Sequence, residues 1–146
     1  MTVLGSRDQY CVYDDVKNAK VSRTEACVSV VNGKAITSNG TISQKKVGGC
    51  QCPFRKNMAN LKDPNQQKEV YPDVIKYEKF LETVKLDPSE PWDIEDLVQK
   101  GRRTEYCPYY MAKAIKSQVE IIFAPYNYLL DAGIRQQLGI SLKPGN

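Results

Sequence analysis

The chain has 146 residues, of which 41% are hydrophobic and 26% are charged, a composition ordinary for one soluble globular domain. No apolar run is long enough to span a membrane, and the N-terminus lacks a basic-then-apolar signal segment. The sequence contains no histidine, which excludes the usual general base and the usual zinc partner of cysteine.

The formal net charge of +4 is spread unevenly along the chain. Residues 1–60 carry 9 basic and 4 acidic side chains, residues 61–100 carry 6 and 10, and residues 101–146 carry 6 and 3. The two ends are therefore basic and the middle is acidic. This distribution fits a nucleic-acid face with a solvated insert behind it, and ordinary surface charge explains it equally well.

The first half of the chain predicts a strand, a hairpin and a loop. Residues 1–5 read as a strand, and the β-like runs 28–31 and 34–37, on either side of the Asn-Gly pair at 32–33, predict a hairpin. Residues 57–70 are polar and poor in order-promoting side chains, which predicts a mobile loop.

The second half predicts mainly helices. Pro72 begins a helical pattern that runs to about Val84. Asp93 can cap a short helix over residues 94–100, and Gly101 is predicted to end it.

Another helix is predicted to begin at Pro108, whose fixed φ and missing amide hydrogen suit a first helical position. Cys107 then lies where unpaired amide hydrogens and the helix dipole favour a thiolate, which suits a metal ligand. Residues 119–124 predict a buried strand and residues 127–138 a further helix. We therefore expect a mainly α fold with few short strands, organised around a cysteine site.

The five cysteines, without a secretion signal, indicate reduced thiols rather than disulfides. Four follow the wide spacing Cys11-x15-Cys27-x24-Cys52-x54-Cys107, and Cys50 is extra. Four thiolates without imidazole fit a [4Fe–4S] cluster or an all-cysteine zinc site, and unliganded buried cysteines are a third interpretation. Structural zinc normally uses tight CxxC pairs, whereas scattered single cysteines fit a cluster that joins distant segments.

Five stretches carry a more specific pattern: LGSRDQYC, CPF, DIEDLV, CPYY and IIFAPYNYLLD. Together they resemble the iron–sulfur domain of the XPD-like superfamily-two DNA helicases, a group that includes XPD, FANCJ, the ChlR-type helicases and the telomere-elongation regulators. The sequence of these stretches is most similar to the telomere-elongation regulators. The resemblance is weak over residues 28–49 and 56–90, which look like long inserts.

The resemblance implies a [4Fe–4S] cluster, and its four ligands would be Cys11, Cys27, Cys52 and Cys107. Cys52 is preferred over Cys50 because the third family ligand is followed two residues later by an aromatic residue, here Phe54.

The resemblance also implies that single-stranded DNA passes this domain, near Arg7, Tyr109 and Lys113. Independently, an aromatic residue and a cation one turn apart on a helix can stack a base and contact a phosphate. Two alternatives stay open: Arg7 could pair with Asp8 or Asp14, and Tyr109 or Tyr110 could be core, since only one of them is expected to face Lys113. Six other basic residues are weaker phosphate candidates, each expected to be solvated surface: Lys45, Lys46, Arg55, Lys56, Arg102 and Arg103.

The sequence has neither a GxxxxGK[ST] loop nor a DEAH-type motif, so nothing in it can hold ATP and Mg²⁺. We therefore expect residues 1–146 to be a non-catalytic domain excised from a nuclear, ATP-dependent 5′–3′ DNA helicase, with ATP and Mg²⁺ bound only by the parent. Its partners would be single-stranded and fork DNA and the motor and arch domains of the parent chain, with no membrane. The alternative is a four-cysteine zinc module that binds protein partners through the acidic residues 61–100.

Overall fold

The structure is a computed structural model that describes residues 1–59, 77–138 and 140. Within these ranges the chain is mostly helical with few short strands, which confirms the predicted fold class. In chain order the elements are β1 (Thr2–Val3), α1 (Arg7–Tyr10), α2 (Asp14–Lys17), α3 (Arg23–Val31), β2 (Lys34–Ile36), β3 (Ile42–Lys46), α4 (Pro53–Ala59), α5 (Tyr77–Val84), α6 (Ile94–Thr104), α7 (Pro108–Ile115), a 3₁₀ turn (Lys116–Gln118), β4 (Ile122–Phe123), α8 (Tyr126–Leu130) and α9 (Ala132–Leu138).

The N-terminal strand pairs in parallel with a short strand that follows α7. β1 lies beside β4 with Thr2 opposite Ile122, and the N–H of Leu4 donates to the carbonyl of Phe123 at 2.7 Å. The N-terminal strand is thus confirmed, but the buried strand predicted over residues 119–124 is wrong. The strand comprises only Ile122 and Phe123, and both side chains are exposed.

The structure contains a hairpin, but it lies one element later in the chain than predicted. Residues 28–31 form the last turn of α3. This helix begins earlier, at a cap in which the hydroxyl of Ser22 accepts a hydrogen bond from the N–H of Glu25 at 3.2 Å. Ala26 and Val30, one turn apart, are buried against the same core, so the β-branched run packs better as a helix. The actual hairpin joins β2 and β3, and Gly40 supplies the positive φ of its turn.

Helix α6 begins where predicted but ends later. Asp93 accepts from the N–H of Asp96 at 2.8 Å in a capping box. Gly101 does not end the helix, which continues to Thr104 and stops at Glu105 in a left-handed conformation. Gly101 is instead buried where α6 crosses α7, and a Cβ added there would meet the Pro108 ring.

The C-terminal helical pattern forms two helices rather than one. Asp131 ends α8 and its carboxylate accepts from the N–H of Ile134 at 3.0 Å, which starts α9. The helical pattern predicted from Pro72 is described only over α5, and its beginning lies outside the described residues. Residues 57–59 of the predicted loop belong to α4, and the rest of that loop also lies outside.

Two apolar cores meet beside the cysteines. The larger contains Tyr10, whose hydroxyl donates to the carbonyl of Val3 at 2.6 Å, together with the buried faces of α6 and α7. The smaller is built on Val16, Ala26, Val30 and Cys52. Among the described helices, none combines the length and apolar character needed to cross a bilayer.

Candidate metal centre and nucleic-acid interface

The four cysteines predicted as ligands line one pocket, and each reaches it from a different element. Cys11 follows α1, Cys27 lies in the middle of α3, Cys52 immediately precedes α4, and Cys107 is the N-cap residue of α7. The other lining residues are apolar or aromatic apart from one arginine: Arg7, Val12, Tyr13, Val16, Phe54 and Tyr109. The fold thus gathers thiols that are widely separated in the sequence.

The fifth cysteine has a different environment. All five are free thiols, but Cys50 is half-buried against the smaller core and lies outside the set that lines the pocket. Its thiol donates a hydrogen bond to the carbonyl of Cys52, with 3.6 Å between the sulfur and oxygen atoms. The structure therefore places Cys52, and not Cys50, in the pocket wall.

The four thiols surround the pocket without converging on one point. Over residues 1–59, 77–138 and 140, no three cysteine, aspartate or glutamate side chains are close enough together to hold a single metal ion. A structural zinc ion needs its sulfur ligands at about 2.3 Å, whereas a [4Fe–4S] cluster offers each cysteine an iron of its own. Thiols in a mostly apolar wall suit either group by ligand type, but only the cluster does not require several of them to meet at one ion.

Burial controls the protonation of these thiols. It raises the pKa of Cys52 and of Cys107 to about 12, and it raises the pKa of the other two lining thiols as well. Backbone amides oppose the shift, since the N–H of Arg55 donates to Cys52 and that of Tyr110 donates to Cys107. The amide at the start of α7 thus lowers the pKa of Cys107, as expected, but desolvation raises it by more. A metal that binds here must displace the protons.

Arg7 lies between the thiols and the aromatic face of α7. Its guanidinium carbon is 4.4 Å from the centre of the Tyr109 ring, and its side chain donates a hydrogen bond to the Cys27 thiol. Of the two aspartates considered as partners for Arg7, Asp14 pairs with Lys17 at 3.5 Å. Within the described residues no ion pair joins Arg7 to Asp8 or Asp14, and Arg7 brings its positive charge to the edge of the pocket.

Tyr109 and Tyr110 both approach Lys113. The two rings pack edge to face with their centres 5.2 Å apart, and the Lys113 ammonium is 5.2 Å from one and 5.9 Å from the other. The expectation that only one tyrosine can face Lys113 is therefore wrong, because perpendicular rings on adjacent positions both reach one cation. We call Arg7, Tyr109, Tyr110 and Lys113 the cation–tyrosine cluster. All four side chains are half-buried, and burial raises the pKa of Tyr109 to about 12.

Arg55 is the basic residue for which the predicted solvated position is wrong. It is only 7% exposed rather than solvated, and its guanidinium carbon lies 4.2 Å from the centre of the Tyr110 ring. Its position three residues after Cys52, in the first turn of α4, was the available signal, because helical residues three apart share a face. The other five basic candidates are exposed, as expected: Lys45, Lys46, Lys56, Arg102 and Arg103.

Four thiols around one pocket, held on a small helical body with a cluster of cations and tyrosines beside it, agree with the XPD-like class of helicase domain. The DEAD_2 family model matches residues 1–145, and the chain belongs to this family. The resemblance to the XPD-like helicases is thereby confirmed.

Named relatives agree with this assignment. The chain is 34% identical over 141 residues to human "Regulator of telomere elongation helicase 1" and, over the same length, to the Arabidopsis thaliana homolog. It is 30% identical over 143 residues to the "Fanconi anemia group J protein homolog" of Gallus gallus. The alignments cover 97% to 98% of this chain but only 9% to 11% of the relatives, so the chain spans about a tenth of their length.

Proposed function

We propose that the chain is the iron–sulfur domain of an ATP-dependent DNA helicase, in which Cys11, Cys27, Cys52 and Cys107 hold a [4Fe–4S] cluster. The observation that carries the proposal is the single pocket lined by all four thiols, one from each of four separate elements. When bound, such a cluster would cross-link these elements and supply a rigid, redox-active centre. Binding of ATP and Mg²⁺ would belong to the parent enzyme, because the nucleotide motifs are absent from this sequence.

The residues around the thiols suit this role. The amides of Arg55 and Tyr110 and the side chain of Arg7 each donate a hydrogen bond to a ligand sulfur. Such bonds orient metal ligands and stabilise the charge on their sulfur atoms. The apolar wall, which includes Val12, Val16 and Phe54, would limit access of water to the bound group.

The bound group can be identified by analysis of the protein purified without oxygen. We expect about four iron and four sulfide ions per chain, because that is the composition of the cluster. Visible absorption from sulfide-to-iron charge transfer should accompany them, and both should disappear when an iron chelator is added under oxidising conditions. One zinc ion per chain, with no sulfide and no visible absorption, would contradict the proposal and favour the four-cysteine zinc module that binds protein partners.

The cation–tyrosine cluster is proposed as part of the path of single-stranded DNA. Two cations within 5.2 Å of the Tyr109 ring offer contacts to phosphates, and the partly exposed rings can stack on bases. The relatives are named as a regulator of telomere elongation helicase and as a Fanconi anemia group J protein, which supports a parent that acts on DNA. We infer that the parent of this chain moves 5′ to 3′ on single-stranded and fork DNA in the nucleus, with its motor and arch domains completing the path.

Lys113 gives a direct test of this path. Lys113→Gln should weaken the binding of a single-stranded oligonucleotide and reduce the slope of log K against log salt by about 0.7, because one phosphate contact is lost. The measurement is fluorescence anisotropy at several salt concentrations. Lys85→Gln removes an equal charge from an exposed lysine outside the cation–tyrosine cluster and should leave the slope unchanged. Equal slopes for the two variants would exclude Lys113 from the path.

A further inference from the structure

Arg55 is a buried cation that holds two parts of the site together. Its side chain is 7% exposed and packs on the Tyr110 ring of α7, while its own backbone N–H donates to the sulfur of Cys52. It therefore contacts one ligand segment through its backbone and the helix of another ligand, Cys107, through its guanidinium. Burying a guanidinium costs free energy unless negative charge or a π face compensates it.

The arrangement of Arg55 repeats that of Arg7. Each arginine belongs to a segment that carries a ligand cysteine, and each lies over one ring of the Tyr109–Tyr110 pair, at 4.2 and 4.4 Å. Arg7 is half-buried, whereas Arg55 is enclosed. Because Arg55 is enclosed, its charge acts on groups inside the domain, and one of them is the Cys27 thiol, whose pKa it lowers.

A cluster held by four thiolates carries net negative charge, and one-electron reduction adds a further negative charge to it. A buried positive charge near the cluster stabilises the reduced form more than the oxidised form, since Coulomb interactions are strong where the dielectric constant is low. We propose that Arg55 is a positioning residue that supplies this counter-charge and thereby raises the reduction potential of the iron–sulfur centre. The inference rests on the proposed function, because it needs the cluster.

The test compares three variants of the full chain, loaded with iron and sulfide without oxygen. Arg55→Met removes the charge and keeps an unbranched side chain, Arg55→Lys keeps the charge, and Arg102→Met is a control at an exposed arginine. Reduction by dithionite is followed optically and by electron paramagnetic resonance. We expect Arg55→Met to shift the reduction equilibrium about tenfold towards the oxidised form, or about 59 mV for one electron. Arg55→Lys should retain most of the wild-type potential, and Arg102→Met should retain all of it.

Each outcome decides the inference separately from the proposed function. A loaded Arg55→Met chain with the wild-type potential would overturn the role of Arg55 and leave the cluster in place. If Arg55→Met does not take up iron and sulfide, the Arg55→Lys variant decides. An Arg55→Lys chain that loads and keeps the wild-type potential supports the counter-charge. An Arg55→Lys chain that does not load shows that packing of the guanidinium, rather than its charge, matters. A wild-type chain that takes up no iron and sulfide would instead reject the proposed function itself.

Discussion

Replacement of Cys107 by serine is expected to abolish retention of iron and sulfide by the purified chain. Cys107 is the N-cap residue of α7 and lines the pocket together with the three other ligand cysteines. Serine is itself a good N-cap residue, so the start of α7 should be preserved while the thiolate is lost. The measurement is iron and sulfide content after anaerobic purification, together with the far-ultraviolet circular dichroism of the same sample.

The matched control for this experiment is Cys50→Ser. Cys50 lies outside the pocket wall, although it is only two residues from Cys52 and hydrogen-bonds to its carbonyl. The Cys50 variant should therefore retain iron, sulfide and visible absorption. Full loading of Cys107→Ser, or equal loss from both variants, would contradict the assignment of the four ligands.

The loss of stability in Cys107→Ser should also be large. A group that binds only the folded state stabilises it by about 4 kcal/mol when present at a thousandfold excess over its Kd. The cluster would also join α1, α3, α4 and α7, so its loss should lower the thermal unfolding midpoint well below that of the loaded wild type. Wild-type protein from which iron has been removed is the reference, and it should unfold at nearly the same temperature as the variant.

Gly101→Ala is expected to destabilise the domain, although it replaces glycine inside a helix. At an exposed helical site this change would stabilise the fold by up to about 1 kcal/mol. At Gly101 the added Cβ would meet the Pro108 ring and lie 2.7 Å from the carbonyl oxygen of Tyr106. Because a backbone atom and a fixed ring cannot yield easily, we expect a net loss of about 1–3 kcal/mol in the free energy of unfolding, measured by urea titration.

Gly133→Ala provides the comparison for this prediction. Gly133 is an exposed position in α9, and its nearest prospective contact is the side-chain carboxylate of Asp131 at 3.2 Å, which has to shift by only a few tenths of an ångström. This variant should be neutral or slightly stabilising. If Gly101→Ala is as stable as Gly133→Ala, the close approach of α6 and α7 does not exist in solution.

The strongest local signals in the sequence predicted the structure well. Asp93 starts α6 and Pro108 starts α7, because a cap and a fixed φ act within one turn and need no distant partner. Gly101 was misread for the opposite reason. A glycine after an apolar run commonly ends a helix, but here a contact with Pro108 of the next helix decides its role.

Tertiary packing also explains the misread strands. The β-branched run over residues 28–31 favours a strand locally, yet burial of Ala26 and Val30 on one side of α3 makes it helical. Asp131 was overlooked as a cap, although its carboxylate lies in the position typical of one. The sequence therefore predicted the fold class but not the place of each element.

The sequence predicted which cysteines form the candidate site, but it did not predict which side chains pack around them. Cysteine spacing and the flanking motifs selected the four residues that line the pocket. No local pattern could show that Arg55 packs inward on Tyr110, because that contact joins α4 to α7 across the fold. The contact between Arg7 and the Tyr109 ring likewise joins segments that are far apart in the sequence.

The segment formed by residues 121–130 bears on how the protein behaves at high concentration. Ile121, Ile122 and Phe123 are exposed, and so are Leu129 and two further side chains beyond them, Tyr126 at 78% and Leu130 at 75%. They adjoin a two-stranded parallel pair, a kind of sheet that proteins normally cover on both faces. Exposed apolar side chains of this kind, next to the edge of β4 that has no partner strand among the described residues, promote association between copies of the chain. Samples of the isolated chain should therefore stay dispersed only when dilute or with mild detergent, whatever the state of the thiols.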